Sequence, residues 1–337
     1  MTEPPTPDRT PAPTRGPEVV LCGEAMLLMV AEPGVPLQHA VSFRRSVAGA
    51  ETNVATGLAR LGHAVRWLGR LGDDPAGRAV LAQVRAEGVD TSHVVLDAEA
   101  PTGLLLRDSH PARAIDVQYH RAGSAASRLA PEEVSAEALR GARLLHLTGI
   151  TPMLSETSRR ATERLLDLAR ESGVRVSLDP NVRHKLGSPQ RWREVVGPLL
   201  DRADLVLAGT DELDLLAGER AGADTHAARL LAAGVDTVVV KHPDKSATCH
   251  TATSRTAQPA FTVPLTDPVG AGDAFAAGFL SGRLRGADDQ SCLAQGAAVA
   301  ALVVGCVTDT DGLPDRTALE RALAGLTADG GAETVHR

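Results

Sequence analysis

The sequence predicts an α/β fold in which helices cover both faces of a mainly parallel central sheet. Short apolar runs of strand length alternate along the chain with longer stretches that have helical spacing of apolar residues. With 337 residues, of which 43% are hydrophobic, the chain is long enough to bury a large sheet. Because parallel strands need crossover connections, this alternation favours a helix-covered parallel sheet.

The predicted elements follow one another along the chain in that rhythm. Strands are predicted at residues 19–22, 65–68, 144–147, 174–178, 205–207 and 235–241. Helices are predicted at 51–61, 75–87 and 155–172, with further helices between the later strands.

Two stretches interrupt the alternation, at about 33–47 and about 94–122. Within the second, residues 102–107 and 114–120 look like short strands joined by a polar turn. We expect a small antiparallel β-sheet lid, which would close over the carboxyl ends of the main strands, where ligands bind in such sheets. An ordinary surface hairpin is the alternative.

The remaining domain boundaries follow from composition. The first 17 residues are rich in Pro and Thr and lack an apolar leader, so we expect a disordered tail at 1–17. One α/β domain is expected over 18–330, and residues 331–337 are expected to form a flexible C-terminus.

Charge and composition exclude several partners. The formal net charge is -7 and only 2% of residues are aromatic, which argues against nucleic acid. No apolar run is long enough to span a bilayer, so no membrane partner is expected. The cysteines lack CxxC spacing and a companion His cluster, which predicts isolated thiols in a reducing, cytoplasmic setting; they are Cys22, Cys249, Cys292 and Cys306.

The segment DPVGAGDAF at residues 267–275 is the most informative motif. Gly270 and Gly272 let the backbone approach an anion, and the N–H groups at the start of a helix carry partial positive charge. Asp273 can accept a proton at the same point. A phosphoryl group and an incoming hydroxyl could therefore meet here, although a tight turn with an ordinary first-turn Asp is the alternative.

A second motif, AGAETNVA at residues 48–55, opens another predicted helix. Small residues there would give a ligand access to the backbone, and the Asn53 amide offers both a donor and an acceptor to a sugar hydroxyl. Glu51 and Asn53 could instead only satisfy the first helical turn.

Together the two motifs resemble the paired signatures of the ribokinase, or phosphofructokinase-B, family of carbohydrate kinases, over about residues 18–325. The resemblance implies a ribokinase-like fold, with ATP and Mg²⁺ as cofactors. It implies an anion hole at Gly270, Ala271 and Gly272, and a catalytic Asp273 that also contacts the substrate. The other motif would place Gly49 and Asn53 near the sugar.

Further segments are similar to one branch of that family, which phosphorylates the terminal primary hydroxyl of the sugar acid 2-keto-3-deoxygluconate. They are YHRAGSA at 119–125, LTGITP at 147–152 and SLDPNVR at 177–183. The resemblance assigns Tyr119 and Arg121 to holding the substrate and Arg183 to facing its carboxylate. Arginine suits this role because its planar, permanently charged donors match a carboxylate.

Position 28 also favours the sugar-acid branch. Relatives that phosphorylate neutral sugars commonly have an Asp five residues after the Gly that corresponds to Gly23. Here that position is Leu28.

Three other positions depart from the family pattern. Leu105 stands where the branch often has a second lid Tyr. The Asn-x-x-Glu segment associated with magnesium reads GTDE at 209–212, which keeps only Glu212 as a candidate metal residue. After Lys241, which the resemblance places at the nucleotide, the expected Gly-x-x-Gly turn reads PDKS at 243–246, so nucleotide preference could differ.

Two other functions stay open on the sequence alone. The chain could be a kinase of a neutral sugar or nucleoside, or a sugar-binding regulator that has lost catalysis. The resemblance also implies a homodimer formed through the lid, since unpaired strand edges seek partners.

Overall fold

The computed structural model describes residues 16–110 and 114–327, and a nine-stranded sheet forms its centre. In chain order the strands are β1 (Val19–Cys22), β2 (Met26–Ala31), β3 (Phe43–Ala48), β4 (Val65–Gly72), β5 (Val94–Asp97), β6 (Gly103–Arg107), β7 (Val117–His120), β8 (Leu144–Thr148), β9 (Arg175–Asp179), β10 (Leu205–Gly209), β11 (Thr237–Lys241), β12 (Ala247–His250) and β13 (Arg255–Gln258). Residues 1–15 of the tail expected to be disordered at 1–17 lie outside the described residues, as does the whole C-terminal segment 331–337, which was expected to be flexible.

The helices connect these strands and cover the sheet. They are α1 (Ala50–Arg60), α2 (Pro75–Ala86), α3 (Ala136–Leu139), α4 (Ile150–Leu154), α5 (Glu156–Ser172), α6 (Pro189–Val195), α7 (Gly197–Leu200), α8 (Thr210–Ala217), α9 (Ala223–Ala232), α10 (Ala271–Leu284), α11 (Asp289–Val303) and α12 (Arg316–Thr327). No helix in the described part of the chain has the length and apolarity needed to cross a membrane.

The order of the main sheet is β13-β12-β11-β10-β9-β8-β1-β4-β5. All neighbours from β11 to β5 pair in parallel, and β12 and β13 add an antiparallel edge. The predicted α/β fold with a mainly parallel sheet is therefore confirmed.

The core lies on both faces of this sheet, as strand β11 shows. Val238 and Val240 belong to an apolar cluster with helix α5, whereas Val239 between them belongs to a second cluster with helix α10. Because successive side chains of a strand point to opposite faces, helices must cover both sides, as the continuous apolar runs predicted.

The lid is a separate four-stranded sheet of order β3-β2-β6-β7, and it differs from the expected antiparallel flap in two ways. β2 pairs in parallel with β6, so the sheet is mixed, and β2 lies before the first expected lid segment. The second segment contributes only from β6 onward, because β5 pairs with β4 at the edge of the main sheet.

The four cysteines are free thiols, as the sequence indicated. Burial raises the pKa of the thiols, and Cys22, Cys249 and Cys292 are all buried. They contribute to the apolar core in the manner of small hydrophobic residues.

Candidate active site

The motif at 267–275 forms the turn that starts helix α10. Gly270 has φ 85°, in the left-handed region, and a Cβ there would lie 2.9 Å from the carbonyl oxygen of Asp309. Both facts require glycine. Asp267 Oδ1 accepts a hydrogen bond from the backbone N–H of Val269 at 2.9 Å, which orders the approach to the turn. The first-turn N–H groups of α10 have no acceptor within the helix and can receive an anion.

Asp273 lies in the first turn of α10, buried, with both carboxylate oxygens hydrogen-bonded. Asn53 Nδ2 donates to Oδ2 at 2.8 Å, and Asn181 Nδ2 donates to Oδ1 at 3.1 Å. Burial raises the pKa of Asp273 to about 6, while the Asn53 hydrogen bond and the nearby charge of Arg183 oppose the rise. The carboxylate is oriented by two amides and can take up a proton near neutral pH.

Helices α1 and α10 pack closely because small residues form their interface. A Cβ on Gly57 would lie 2.6 Å from the Cβ of Ala277, so the two helices approach more closely than larger residues allow. This contact brings the start of α1, with Asn53, against the start of α10, with Asp273.

Asn181 was not among the predicted site residues. It follows β9 with φ 46°, and its N–H donates to Asp179 Oδ1 at 3.0 Å. The signal was present in the segment SLDPNVR, because an Asn two residues after an Asp and just after a Pro is typical of a turn that uses the left-handed region.

A cavity of about 90 Å³ lies beside Asp273, beneath the lid. It brings together every residue that the resemblance assigned to the substrate, although they come from distant parts of the chain. These lining residues are Gly49, Asn53, Tyr119, Arg121, Arg183 and Asp273, together with Gly270.

The two arginines of this cavity differ in their partners. Arg121 donates through Nη2 to Glu24 Oε2 at 2.6 Å, and its guanidinium lies 4.7 Å from the centre of the Tyr119 ring. Within the described residues no carboxylate lies at ion-pair distance from Arg183, whose Nη1 donates to the Val182 carbonyl at 3.2 Å. Arg183 is therefore the less neutralised cation.

Glu24 is a second residue that the sequence interpretation missed. It follows the end of β1, is 3% exposed and lines the cavity. Burial raises its pKa, and the charge of Arg121 opposes the rise. Its position directly after Gly23, at the carboxyl end of a buried strand, was the available signal.

Glu51 links the start of α1 to strand β8. Its Oε1 accepts hydrogen bonds from the Thr148 hydroxyl at 2.7 Å and the Thr148 N–H at 3.2 Å, whereas Oε2 has no partner in the described structure. Burial raises the pKa of Glu51 to about 7. A Cβ on Gly23 would lie 2.1 Å from the Glu51 carboxyl carbon, so the Glu51 carboxyl can occupy this position only because residue 23 is glycine.

A larger cleft of about 670 Å³ adjoins the cavity, and Arg183 lines both. Ala271, Gly272, Lys241 and Glu212 line the cleft, whereas Gly270 lines the smaller cavity. Lys241 Nζ donates to Asp179 at 2.7 Å and lies 3.8 Å from the Cβ position of Gly272. Although burial opposes its charge, Asp179 and Glu212 raise the pKa of Lys241.

Glu212 has a structural function at the cleft. Its Oε1 accepts from the N–H of Val182 and its Oε2 from the N–H of Gly209, both at 2.7 Å. Burial and the charge of Asp179 raise its pKa. Among the described residues no group of three or more His, Cys, Asp or Glu side chains is placed to hold a metal ion.

The turn at 243–246 forms without glycine. Lys245 adopts φ 70°, and Asp244 Oδ1 accepts hydrogen bonds from the Ser246 N–H at 3.0 Å and hydroxyl at 2.6 Å. Lys245 and Ser246 line the cleft. A side-chain acceptor and one strained residue thus replace the expected glycines.

Two lid positions show how the cavity wall is built. Leu28, the position compared with a sugar-binding Asp, packs in the lid core, and Met26 lines the cavity instead. Leu105, in place of a second lid Tyr, also lines the cavity. The lid side of the cavity is therefore partly apolar.

A mainly parallel α/β sheet, a β-sheet lid and a helix N-terminus with a buried carboxylate together favour a kinase of small molecules. The family model described as pfkB family carbohydrate kinase matches residues 17–316. The chain belongs to this family, which confirms the resemblance seen in the sequence.

Relatives of named function support the same family assignment. The chain is 36% identical over 323 residues to a 2-dehydro-3-deoxygluconokinase of Bacillus subtilis (strain 168), covering 95% of this chain and 98% of the relative. It is 35% identical over 289 residues to a 2-dehydro-3-deoxygalactonokinase of Haloferax volcanii, covering 85% and 90%. The crystal structure of a PfkB protein from Polaromonas sp. JS666 is 39% identical, with TM-score 0.82 and coverage of 90% and 99%.

Proposed function

We propose that this protein transfers a phosphoryl group from ATP to the terminal primary hydroxyl of a sugar acid, with 2-keto-3-deoxygluconate as the preferred acceptor. The observation that carries the proposal is that Arg121 and Arg183 line the same small cavity as Asp273. In a chain of net charge -7, two arginines beside a proposed base are well suited to an acceptor with a carboxylate. The B. subtilis and H. volcanii relatives are both kinases of sugar acids, which supports an acidic acceptor, and the B. subtilis relative supports 2-keto-3-deoxygluconate in particular.

In the proposed reaction, Asp273 accepts the proton of the substrate hydroxyl while the oxygen of that hydroxyl forms a bond to the γ-phosphorus of ATP. The bond between that phosphorus and the bridging oxygen breaks, and ADP leaves. Asn53 and Asn181 hold the carboxylate in place. The N–H groups at the start of α10 receive the charge of the transferring group, since phosphoryl transfer depends on alignment and electrostatic stabilisation.

The residues present fit a magnesium ion bound mainly through phosphate oxygens and water, because such sites need only one or two carboxylates. Glu212 is the candidate ligand, and Asp179 is close enough to raise its pKa. The ion would neutralise charge on the phosphates. Lys241, which also lines the cleft, would contact the nucleotide phosphates.

An ADP-release assay with a panel of acceptors tests the proposal. The panel contains 2-keto-3-deoxygluconate, 2-keto-3-deoxygalactonate, fructose, ribose and a nucleoside. We expect kcat/KM to be highest for a sugar acid. A clear preference for a neutral acceptor would contradict the assignment.

A neutral-sugar kinase is the second candidate, and one observation favours it. Glu24 already neutralises Arg121, which leaves Arg183 as the main attraction for a carboxylate. The same panel separates the candidates. Phosphorylation of any acceptor at ordinary turnover would also exclude a catalytically silent regulator.

The pH profile provides a separate prediction. Because the proposed base must be deprotonated and the pKa of Asp273 is raised to about 6, kcat/KM should fall about tenfold per pH unit below that value. Arg183→Met removes a charge that lowers this pKa, so the acidic limb should move to higher pH. An unmoved limb in this variant, or activity unchanged down to pH 4, would contradict the assignment of the base.

The nucleotide cleft yields a prediction at the turn without glycine. Asp244→Ala removes the carboxylate that accepts two hydrogen bonds from Ser246. KM for ATP should therefore rise several-fold, while KM for the sugar substrate stays unchanged. Initial rates with each substrate varied in turn measure both constants. Equal effects on the two constants would place the turn outside the nucleotide site.

Dimerisation through the lid is a further part of the proposal. β3 and β7 are the outer strands of the lid, and Val41, next to β3, is 97% exposed. Such edges can pair with a second copy. Sedimentation at micromolar concentration should show a dimer, and a monomer would exclude this arrangement.

A further inference from the structure

Arg107 is a buried cation at the end of lid strand β6. It is 2% exposed, and its two terminal nitrogens donate to four acceptors in three segments of the chain. These contacts are Asp267 Oδ2 at 2.6 Å, Asp309 Oδ1 at 2.8 Å, the Val307 carbonyl at 3.0 Å and the Asp108 carbonyl at 3.2 Å.

Both carboxylates that Arg107 contacts flank the turn at Gly270. The other oxygen of Asp267 accepts the N–H of Val269, within that turn. The backbone of Asp309 lies against Gly270, which it contacts closely enough to exclude any Cβ. One guanidinium thus holds the two walls of the turn that is proposed to receive the phosphoryl group.

The charge of Arg107 has a further effect on this turn. Asp267 is 1% exposed and Asp309 is 6% exposed, so water screens neither carboxylate well. Two unpaired negative charges here would repel an incoming phosphate and oppose the partial positive charge of the α10 N-terminus. Arg107 offsets them from inside the protein.

Strand β6 also connects Arg107 with the cavity beside Asp273. Two residues before Arg107, Leu105 lines the cavity and pairs with Tyr119 of β7. The same strand therefore sets the position of the cavity wall at one point and holds the phosphate-receiving turn at the next.

We propose that Arg107 is a positioning residue that joins the lid to the phosphate-receiving turn and serves as the internal counter-cation of Asp267 and Asp309. This inference rests on the proposed phosphoryl transfer but not on the identity of the acceptor. It assigns to the lid a function on the donor side of the reaction in addition to covering the acceptor.

The first test measures ATP affinity by calorimetry, without any acceptor. Arg107→Met should weaken ATP binding about tenfold, because it leaves two buried carboxylates beside the turn. Adding Asp309→Asn should restore most of that affinity, since it removes one of the unpaired charges. Arg66→Met is the matched control. Arg66 pairs with Asp90 at 2.7 Å and lines neither the cavity beside Asp273 nor the larger cleft, so its loss should leave ATP affinity unchanged.

The second test measures turnover with the best acceptor of the panel. Arg107→Met should lower kcat about 10²-fold per folded molecule, with a smaller change in KM for the acceptor, because misplacing the turn affects the reacting group. In Arg107→Ala, millimolar guanidinium chloride should restore part of kcat, and sodium chloride should not. If Arg107→Met does not fold, Arg107→Lys, which retains the charge, is compared in both assays.

The outcomes separate the two proposals. Wild-type preference for a neutral acceptor would overturn the sugar-acid assignment and leave the Arg107 tests valid. The Arg107 proposal would be overturned by wild-type ATP affinity in Arg107→Met, or by a double variant no better than the single one. Lack of response to guanidinium would also overturn it.

Discussion

Asp273→Asn is expected to lower kcat by about two to four powers of ten, on the scale of general-base contributions. The amide keeps the size of the carboxylate but cannot accept the proton of the acceptor hydroxyl. Stopped assays at saturating ATP and acceptor measure the effect. Turnover near the wild-type value would contradict the proposed mechanism.

Thermal stability serves as the control for this variant, and its sign follows from the raised pKa. Burial raises the pKa of Asp273 from 3.8 to about 6, so the ionised group disfavours the folded state at pH 7. The penalty is absent below pH 3.8, grows as pH rises from 3.8 to about 6, and stays at its full size above that value. Asp273→Asn should therefore raise Tm at pH 7, with a smaller gain at pH 4. A large loss of Tm at pH 7 would indicate misfolding rather than loss of the base.

Arg183→Ala should have the second-largest effect, and it should depend on the acceptor. For a sugar acid we expect kcat/KM to fall about 10²-fold or more, the scale for losing one partner of a desolvated charge pair. For the best neutral analogue the fall should be much smaller. Arg183 has no carboxylate partner among the described residues, so the substrate carboxylate would supply the missing charge.

Arg121→Ala provides the comparison within the same cavity. Glu24 already pairs with Arg121, so this cation discriminates less between acid and neutral acceptors. Removing it also leaves Glu24 buried without its ion pair, which should lower Tm. Arg191→Ala, on helix α6 outside both cavities, is the control for loss of an arginine. Equal penalties on acid and neutral acceptors in Arg183→Ala would favour the neutral-sugar kinase.

The sequence revealed those parts of the site that lie in short motifs. Gly270 to Asp273 could be interpreted together because a turn, a helix start and a carboxylate lie within a few residues. The contacts of Glu24 and Asn181 could not be predicted because their partners are remote in sequence. Arg121 is 97 residues from Glu24, and Asp273 is 92 residues from Asn181.

In the fold, too, local features could be predicted from the sequence, whereas pairings between remote strands could not. Most of the main sheet could be predicted because strands such as β8, β9 and β10 are largely buried runs that are each followed by a helical crossover. β2 was missed, and its parallel pairing with β6 joins segments on either side of β4 and β5. β5 was assigned to the lid because local pattern does not specify which sheet edge a short strand joins.

A crystal structure with 2-keto-3-deoxygluconate and a non-hydrolysable ATP analogue tests the central claim most directly. We predict that an Asp273 carboxylate oxygen lies roughly 2.6–3.2 Å from the terminal hydroxyl of the substrate. The oxygen of that hydroxyl should lie in line with the γ-phosphorus and the bridging oxygen. The substrate carboxylate should contact Arg183. An Asp273 side chain turned away from both reactants, with the acceptor bound elsewhere, would contradict it.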